Sequence, residues 1–539
     1  MMDVSEGSGI SRRRFLSAVG AAGGAGTMFA TMGALGLAPT ARADTYHPPR
    51  RADFALSGRS AAKVAVLGGG IAGLTCAYEL GKAGYDCTVL EAQDRIGGRN
   101  FTVRNGTEYT ELGGVTQVAE FAGDGYLNAG PARIAQWMVT LDYCRELGVP
   151  IEVFTNTNAN AFTYNESAGM KSPQRHRTAK ADVHGYVGEL LAKATDRGAL
   201  DAELTAADKE RLLDFLQDWG TIEERNGGWR YLGGPRRGFS VNPGAGENTG
   251  TVLEPVPSLS EVFASGVGSF FSFEHDYDQA MQMFQPVGGM DRIPCALAEA
   301  IGTGRIRTGS RVTRITAGEH GVAVGYRAAD GRDRELTADY CVAALPPHLL
   351  AGIPHNLGVE VRAALATYRD RLVPAGKIGL EYRNRWWETD HRIYGGITWT
   401  DLDISTIWYP SHGHHGRTGV LVGYQSGYRG DDDRAVRYER LPPKERELLA
   451  VAQGVKIHGA KFRDELTGSF SVAWRRAPHI ETAWTSPPYD TAGYRLLNRP
   501  AGRVYFSGDW LSHLSSWQAG AFESARLVVA ALHRRVLSA

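Results

Sequence analysis

The feature that most constrains this 539-residue chain is a glycine-rich turn at residues 68–73, which reads Gly-Gly-Gly-Ile-Ala-Gly. The apolar run at 63–67 predicts a buried strand before the turn, and the apolar segment 74–83 predicts a helix after it. A second apolar run at 87–90 predicts another strand and is followed by Glu91. This order of strand, helix and strand predicts an α/β fold with a parallel sheet that binds a dinucleotide at its carboxyl edge.

Each glycine of the GxGxxG pattern has a role in this interpretation. Gly68 permits the tight turn, Gly70 lets a diphosphate approach the backbone, and Gly73 lets the helix pack on the strand. Ala72 lies in the turn directly before the helix, whose N-terminus has a partial positive charge that attracts the diphosphate. Glu91 stands at the end of the second strand, where a carboxylate binds ribose hydroxyls. The pattern alone is weak evidence, but the strand, the helix and the acid accompany it here.

Three further segments distinguish a flavin from a nicotinamide cofactor. Residues 92–99 read Ala-Gln-Asp-Arg-Ile-Gly-Gly-Arg, residues 505–510 read Tyr-Phe-Ser-Gly-Asp-Trp, and residues 517–521 read Trp-Gln-Ala-Gly-Ala. These segments resemble the RxGGR motif and the C-terminal, flavin-facing motif of the flavin amine oxidase superfamily. The resemblance implies that FAD is the cofactor and that its binding residues include Ala92, Arg99, Val312, Gly508, Asp509, Trp517, Gln518 and Ala521.

Residues 128–133, Asn-Ala-Gly-Pro-Ala-Arg, resemble a segment of the L-amino-acid oxidase branch of this superfamily. They follow a loop at 111–114 whose Gly113 and Gly114 resemble a flavin-contact loop. The resemblance implies that Ala132 and Arg133 contact the flavin and that Arg133 holds the substrate carboxylate. A planar guanidinium suits a carboxylate because it donates two parallel hydrogen bonds. A surface arginine is the alternative interpretation.

Two other segments supply candidate catalytic side chains. Lys377, in an apolar run, matches a lysine that holds a water facing flavin N5 in this branch, which implies a role in oxygen reduction. Tyr424 matches a tyrosine whose hydroxyl joins the arginine on the substrate carboxylate. Trp408 stands where the branch usually has tyrosine, so its role stays open, and core packing is the favoured interpretation for it.

The segments 484–494 and 516–517 are expected to form the pocket beside the flavin. The resemblance implies that Trp484 and Trp517 line this pocket. Ser516 stands where the branch commonly has a glycine whose backbone carbonyl accepts a hydrogen bond from the substrate amine. Only this role of the backbone carbonyl is therefore expected of Ser516.

The preferred substrate side chain depends on the rest of the pocket lining. Tyr277 and Tyr494 would add aromatic surface, which favours large apolar or aromatic amino acids. Glu274 or Asp276 in the pocket would instead favour a cationic one, and the register of residues 270–280 leaves this choice open.

The expected architecture is an α/β Rossmann-like FAD-binding domain with a mixed-sheet substrate domain and a helical insertion. Alternating apolar and polar residues around aromatics indicate the second sheet, and charged helix-forming sequence indicates the insertion. The expected boundaries are 63–100, 285–370 and 496–539 for the FAD-binding domain, 101–174 and 371–495 for the substrate domain, and 175–284 for the insertion.

Residues 1–43 are expected to be a twin-arginine signal peptide, followed by a linker at 44–62. Ser-Arg-Arg-Arg-Phe-Leu at 11–16 is typical of that signal, and Ala-Arg-Ala at 41–43 offers a cleavage site. We therefore expect export of the folded protein to a secreted or extracytoplasmic location. A disordered basic tail is the alternative.

The charge balance gives no reason to expect a nucleic acid or an anionic membrane as partner, because Lys+Arg and Asp+Glu both number 59. We expect no metal site, since the histidines at 412–415 lie in a Gly/Pro/Ser loop and flavin oxidation needs no metal. The expected partners are an amino-acid substrate and O2. Members of the branch are often dimers, so a homodimer is consistent with the resemblance.

Together these features predict an FAD-dependent oxidase that converts an L-amino acid and O2 into a 2-oxo acid, ammonia and hydrogen peroxide. Three alternatives stay open. They are a flavin monooxygenase that decarboxylates an amino acid to an amide, an amine or polyamine oxidase, and a flavin-bound scaffold without turnover.

Overall fold

The computed structural model describes residues 62–426 and 433–538. The signal peptide expected at 1–43 lies outside the described residues, as does the expected linker apart from its last residue. Among the described residues, no helix is both long enough and apolar enough to cross a membrane.

A five-stranded parallel sheet forms the first layer of the fold. Its central strand is buried almost throughout, as expected for a parallel sheet that is covered on both faces. In spatial order its strands are Ile306–Arg307, Asp86–Leu90, Lys63–Leu67, Tyr340–Ala343 and Val504–Phe506.

The glycine-rich turn lies at the carboxyl edge of this sheet. Leu67 pairs with Leu90, and the Gly68 N–H donates to the Leu90 carbonyl at 2.8 Å. The turn and Glu91 are therefore neighbours, and the helix Ile71–Lys82 begins directly after the turn. This strand, helix and strand arrangement confirms the predicted α/β fold class.

An antiparallel sheet packs beside the parallel sheet. Its strands are Arg311–Ala317, Val322–Arg327 and Asp333–Ala338. The two sheets share one hydrophobic core, in which Val324 packs with apolar side chains of the parallel strands.

A seven-stranded sheet forms the second half of the fold. Five of its six neighbouring strand pairs are antiparallel. The pair Ile397–Thr400 and Phe162–Tyr164 runs parallel, which makes the sheet mixed as predicted. The strand Ala375–Tyr382 is buried at every position because it lies between two other strands and beneath packed helices. The strand order is Leu466–Ala473, Ala375–Tyr382, Gly419–Ser426, Thr406–Trp408, Ile397–Thr400, Phe162–Tyr164 and Gln174–Arg175.

The region expected to be a helical insertion begins with two long helices, His176–Asp196 and Ala206–Gly220. Thr205 starts the second helix with a capping box, because its side chain and that of Asp208 each accept the other residue's backbone N–H. The rest of this region is less helical than its composition suggests. It contains the helix Leu259–Ala264 and two hairpins, Ile222–Glu224 with Trp229–Tyr231 and Phe239–Val241 with Thr251–Val252.

The other elements connect these layers and position the loops around the sheet edges. The strand pairs are Thr102–Val103 with Leu127–Asn128, Glu108–Thr110 with Thr116–Val118, Ile151–Thr155 with Gln282–Pro286, and Leu372–Val373 with Trp484–Thr485. The helices are Thr140–Glu146, Arg292–Ile301, Pro347–Leu350, Val359–Ala366, Trp386–Thr389, Arg434–Arg440, Pro443–His458, Lys461–Asp464, Ala492–Leu497 and Gln518–Ser538.

Two glycines of the helix Ile71–Lys82 have contrasting surroundings. A Cβ atom at Gly73 would overlap the carbonyl oxygen of Gly68, so the close approach of helix and turn requires glycine there. A Cβ atom at Gly81 would meet nothing within 4 Å. Gly68 itself has a φ of +102°, a conformation that favours glycine.

We expect Gly73→Ala to lower the melting temperature, because overpacking a tight contact costs about 1–3 kcal/mol. Gly81→Ala is the matched control and should raise stability by up to about 1 kcal/mol, since alanine is the better residue inside a helix. Thermal unfolding of both variants measures the difference. Equal melting temperatures would contradict the close packing of the helix on the turn.

Candidate active site

A cavity of about 710 Å³ connects the carboxyl edge of the parallel sheet with the mixed sheet. Its volume lies in the usual range for small-molecule and cofactor sites, roughly 300–1,000 Å³. The cavity brings together most residues that the sequence singled out. These are Gly68, Gly70, Ala72, Glu91, Ala92, Arg99, Ala132, Arg133, Lys377, Tyr424, Trp484, Gly508, Asp509, Ser516, Trp517, Gln518 and Ala521.

The end of the cavity at Glu91 has the features of a ribose and diphosphate site. Glu91 is buried, and its carboxylate accepts the N–H groups of Gly69 at 2.6 Å and Gln93 at 2.8 Å. Burial raises the pKa of Glu91, and these two hydrogen bonds oppose the shift. A Cβ atom at Gly70 would meet no protein atom within 4 Å, so the cavity begins directly above this backbone. A diphosphate can therefore approach the first turn of the following helix.

Asp509 and the start of the helix Gln518–Ser538 line another wall of the cavity. Asp509 forms an ion pair with Arg99 and accepts the Ser516 N–H at 3.2 Å. The Gln518 side chain donates to Asn100 through Nε2, while its buried Oε1 has no hydrogen-bond partner among the described residues. A buried amide oxygen normally has a donor, so this atom indicates a ligand that supplies one.

These features fit FAD. Glu91 would hold the adenosine ribose, the open backbone at Gly70 would admit the diphosphate, and Asp509 would bind the ribityl chain. The unpartnered Gln518 oxygen would accept a hydrogen bond from the bound group.

Arg133 lies half-buried in the cavity wall. Its Nη1 donates to Asn156 Oδ1 at 2.7 Å, and its guanidinium carbon lies 4.9 Å from the centre of the Trp408 ring. It forms no ion pair with a carboxylate in the part of the chain that the structure describes, so several N–H donors remain for a ligand. Burial lowers the pKa of Arg133 to about 10, against the opposing influence of Tyr424 and Asp278. The group is therefore cationic at neutral pH.

Lys377 lies on a buried strand of the mixed sheet and is only 4% exposed. Its Nζ donates to the carbonyl oxygens of Gly130 at 2.5 Å and Asn128 at 3.3 Å. Burial first, and the charge of Arg133 second, lower the pKa of Lys377 to about 7. An amine with this pKa exchanges a proton readily near neutral pH.

The ring of Trp408 lies close to both Lys377 and Arg133. The Lys377 Nζ lies 4.4 Å from the centre of its ring, and the Arg133 guanidinium faces the same ring. The Tyr424 ring packs edge-on against it at 5.5 Å, and the indole N–H donates to Thr406 Oγ1 at 2.9 Å. Trp408 is buried in the core, as the core-packing interpretation expects, and it also lines the cavity.

The cavity also contains functional candidates that the sequence analysis did not name. Asp278 accepts the indole N–H of Trp517 at 2.7 Å. Asn156 holds Arg133 and donates to Gln279 Oε1 at 3.4 Å. Nothing in the local sequence marks Asn156, because its partners Arg133 and Gln279 lie 23 and 123 residues away in the chain. For Asp278 the only available signal is its position in the acidic stretch before the glycine turn at 288–289.

Two predicted pocket aromatics lie elsewhere, which corrects the expected pocket lining. Tyr277 is 78% exposed and packs against Trp137 with ring centres 4.5 Å apart, because its side chain points outward while Asp278 faces the cavity. Tyr494 is buried in the core beside the parallel sheet, where its ring packs edge-on against Tyr489 at 5.2 Å. Of the two acids considered, Asp276 lines the cavity, whereas Glu274 binds His176 and Lys180 instead.

Four further residues expected at the cofactor do not line the cavity. Gly113 and Gly114 lie in an exposed loop held by Arg476, whose Nη2 donates to the carbonyl oxygen of Leu112 at 2.8 Å. Val312 is 9% exposed and packs in the core, opposite Tyr326 on the neighbouring strand. Gly73 contributes through the packing of helix on turn and not through the cavity surface.

The chain belongs to the flavin containing amine oxidoreductase family, whose model matches residues 71–533. It is therefore a flavin-dependent oxidoreductase, and FAD is its cofactor.

Among curated relatives, the chain is similar to several proteins named as L-amino-acid oxidases. It is 26% identical to the Bacillus subtilis (strain 168) protein YobN, whose L-amino-acid oxidase name is provisional, over 87% of this chain and 94% of that protein. It is 24% identical to the L-amino-acid oxidase BjussuLAAO-I of Bothrops jararacussu, over 86% of this chain and 88% of the relative.

Solved structures show the same fold. Cyclohexylamine oxidase from Brevibacterium oxydans IH-35A superposes with a TM-score of 0.58 at 18% identity, covering 88% of this chain and all of the other. A triple mutant of putrescine oxidase gives a TM-score of 0.56 at 20% identity, covering 88% of this chain and 99% of that one.

The lowered pKa of Lys377 predicts how stability changes with pH. An unfolded lysine titrates near 10.4, so between about pH 7 and that value the unfolded chain binds more protons than the folded one. The stability of the wild type should therefore rise with pH relative to Lys377→Met, by about 2 kcal/mol between pH 7 and pH 9. Unfolding of both proteins at the two pH values measures this change.

Lys171→Met, at an exposed position, is the control for loss of a lysine side chain. A stability difference between wild type and Lys377→Met that stays constant over this pH range would contradict the lowered pKa.

Proposed function

We propose that this flavoprotein oxidises an L-amino acid with O2 to a 2-oxo acid, ammonia and hydrogen peroxide. The observation that carries the proposal is the guanidinium of Arg133, which lines the cavity as a cation with unused donors. A carboxylate is the group that such a guanidinium binds best. The names of the curated relatives support the same substrate class.

When bound, FAD would supply the redox chemistry, since it can take a hydride, which is two electrons and one proton, from the substrate and reduce O2 with those two electrons. The chain's own residues bind and orient the amino acid. Arg133 and Tyr424 would hold its carboxylate, which fixes the position of the Cα–H bond. Lys377, which is close to half protonated near neutral pH, would hold or release a proton at its Nζ during oxygen reduction.

The aromatic walls serve to exclude water from the reacting carbon. Trp408, Trp484 and Trp517 line the cavity next to the residues that would bind the carboxylate and the cofactor. The product released from the cavity would be an imino acid, and water then hydrolyses it in solution to the 2-oxo acid and ammonia.

Replacing Arg133 tests the carboxylate assignment. We expect Arg133→Gln to lower kcat/KM for amino acids by about 100-fold or more, mainly through a higher KM, because a buried charged hydrogen bond is lost. Arg145→Gln, which alters an exposed arginine, is the matched control. The flavin absorbance spectrum of each variant shows whether the cofactor is retained.

An amine or polyamine oxidase has no use for Arg133, since its substrates lack a carboxylate. Unchanged turnover of the best substrate in Arg133→Gln would therefore support an amine oxidase and contradict this proposal.

Product analysis distinguishes oxidase from monooxygenase at the same site. We expect one hydrogen peroxide and one 2-oxo acid for each O2 consumed during turnover of an amino-acid panel. An amide with carbon dioxide would assign a monooxygenase, and no turnover of any amino acid or amine would assign a flavin-bound scaffold.

A further inference from the structure

The cavity wall carries a carboxylate that is attracted to the charge of Arg133 but forms no close ion pair among the described residues. Asp278 is half-buried, lines the cavity and accepts the Trp517 indole N–H through Oδ2 at 2.7 Å. Within residues 62–426 and 433–538, no lysine, arginine or histidine forms an ion pair with it. An indole N–H fixes the orientation of a carboxylate but leaves its negative charge in place. A half-buried carboxylate that has no cation in direct contact favours a ligand that brings one to it.

The position of Asp278 relates it to the carboxylate anchor. Arg133 binds the side chain of Asn156, and Asn156 in turn donates to Gln279, the neighbour of Asp278. The cavity therefore presents a positive and a negative group on adjoining segments, separated by two neutral amides. A ligand that spans them needs a carboxylate at one end and a cation at a distance from it.

The surroundings of Asp278 suit an aliphatic chain that ends in a cation. Phe273 and Trp399 line the same cavity and pack together with ring centres 4.7 Å apart. Aromatic faces bind methylene groups and also attract cations. A second carboxylate, that of the exposed Asp276, lines the cavity as well and adds negative potential along the path of a cationic ligand.

We propose that Asp278 selects amino acids with a positively charged side chain, such as L-lysine, L-ornithine or L-arginine. This inference rests on the proposed function, because it assumes that Arg133 holds the α-carboxylate. It also replaces the expectation of large apolar or aromatic substrates, since Tyr277 and Tyr494 lie outside the cavity and a carboxylate without a close ion pair among the described residues lies inside it. Asp278 is then a specificity-determining residue that binds the distal cation.

The test compares L-lysine with L-norleucine, which has the same chain length without the terminal amine. Steady-state kcat/KM is measured by peroxide formation with the flavin-loaded enzyme. The wild type should prefer L-lysine. Asp278→Asn keeps an oxygen that can accept the Trp517 N–H but removes the charge. The fall in kcat/KM that it causes should therefore be about 10- to 100-fold larger for L-lysine than for L-norleucine.

Two other variants make the comparison specific. Asp278→Glu keeps the charge and should keep a preference for L-lysine, which also protects the test if the asparagine variant folds poorly. Asp218→Asn removes the same charge from a side chain that is 91% exposed and should leave the preference as in the wild type. The flavin spectrum checks that each variant is folded.

An equal fall in kcat/KM for L-lysine and L-norleucine in Asp278→Asn would overturn the inference, because Asp278 would then bind the α-amine or only position Trp517. Turnover of L-norleucine with little or no turnover of L-lysine by the wild type would also overturn it, while leaving the proposed function intact. Failure of the wild type to oxidise any amino acid would instead overturn the proposed function itself.

Discussion

Two basic side chains, Lys377 and Arg133, lie together in the cavity wall, and the rest of the site depends on how the protein compensates for burying both of them. Burying like charges together is costly, because each group loses water and each repels the other. The two groups respond differently. Lys377 donates to two backbone carbonyls and has a pKa of about 7, whereas Arg133 has a pKa of about 10 and stays charged. Of these two groups, Arg133 therefore supplies the fixed positive charge near neutral pH, which suits an anionic group on a ligand.

The same lysine connects the two halves of the fold. Its strand belongs to the mixed sheet, and its carbonyl partners belong to the segment that ends at Arg133. A Cβ atom at Gly130 would overlap the carbonyl oxygen of Arg99, so this segment packs directly on the residue that pairs with Asp509. One packed junction thus positions the carboxylate anchor together with the contacts to the cofactor. Changes at this junction should affect substrate and flavin binding together.

The sequence predicted the features that are local and left open those that depend on packing. The glycine turn, Glu91 and the adjoining helix follow from short-range patterns, so their place in the cavity could be anticipated. The side-chain directions of Tyr277 and Tyr494 could not, because the surrounding fold decides whether an aromatic ring faces a pocket, the solvent or the core. Asn156 has no sequence signal and Asp278 has only its place in an acidic stretch, so the roles of both become visible only through partners that are distant in the chain.

The most direct measurement is a crystal structure of the flavin-loaded enzyme with an unreactive amino acid whose Cα hydrogen is replaced by methyl. The account predicts that the carboxylate of this ligand lies about 2.7–3.2 Å from the guanidinium nitrogens of Arg133, on the cavity side of Trp408. A carboxylate bound elsewhere, or an Arg133 side chain turned away from the ligand, would contradict it.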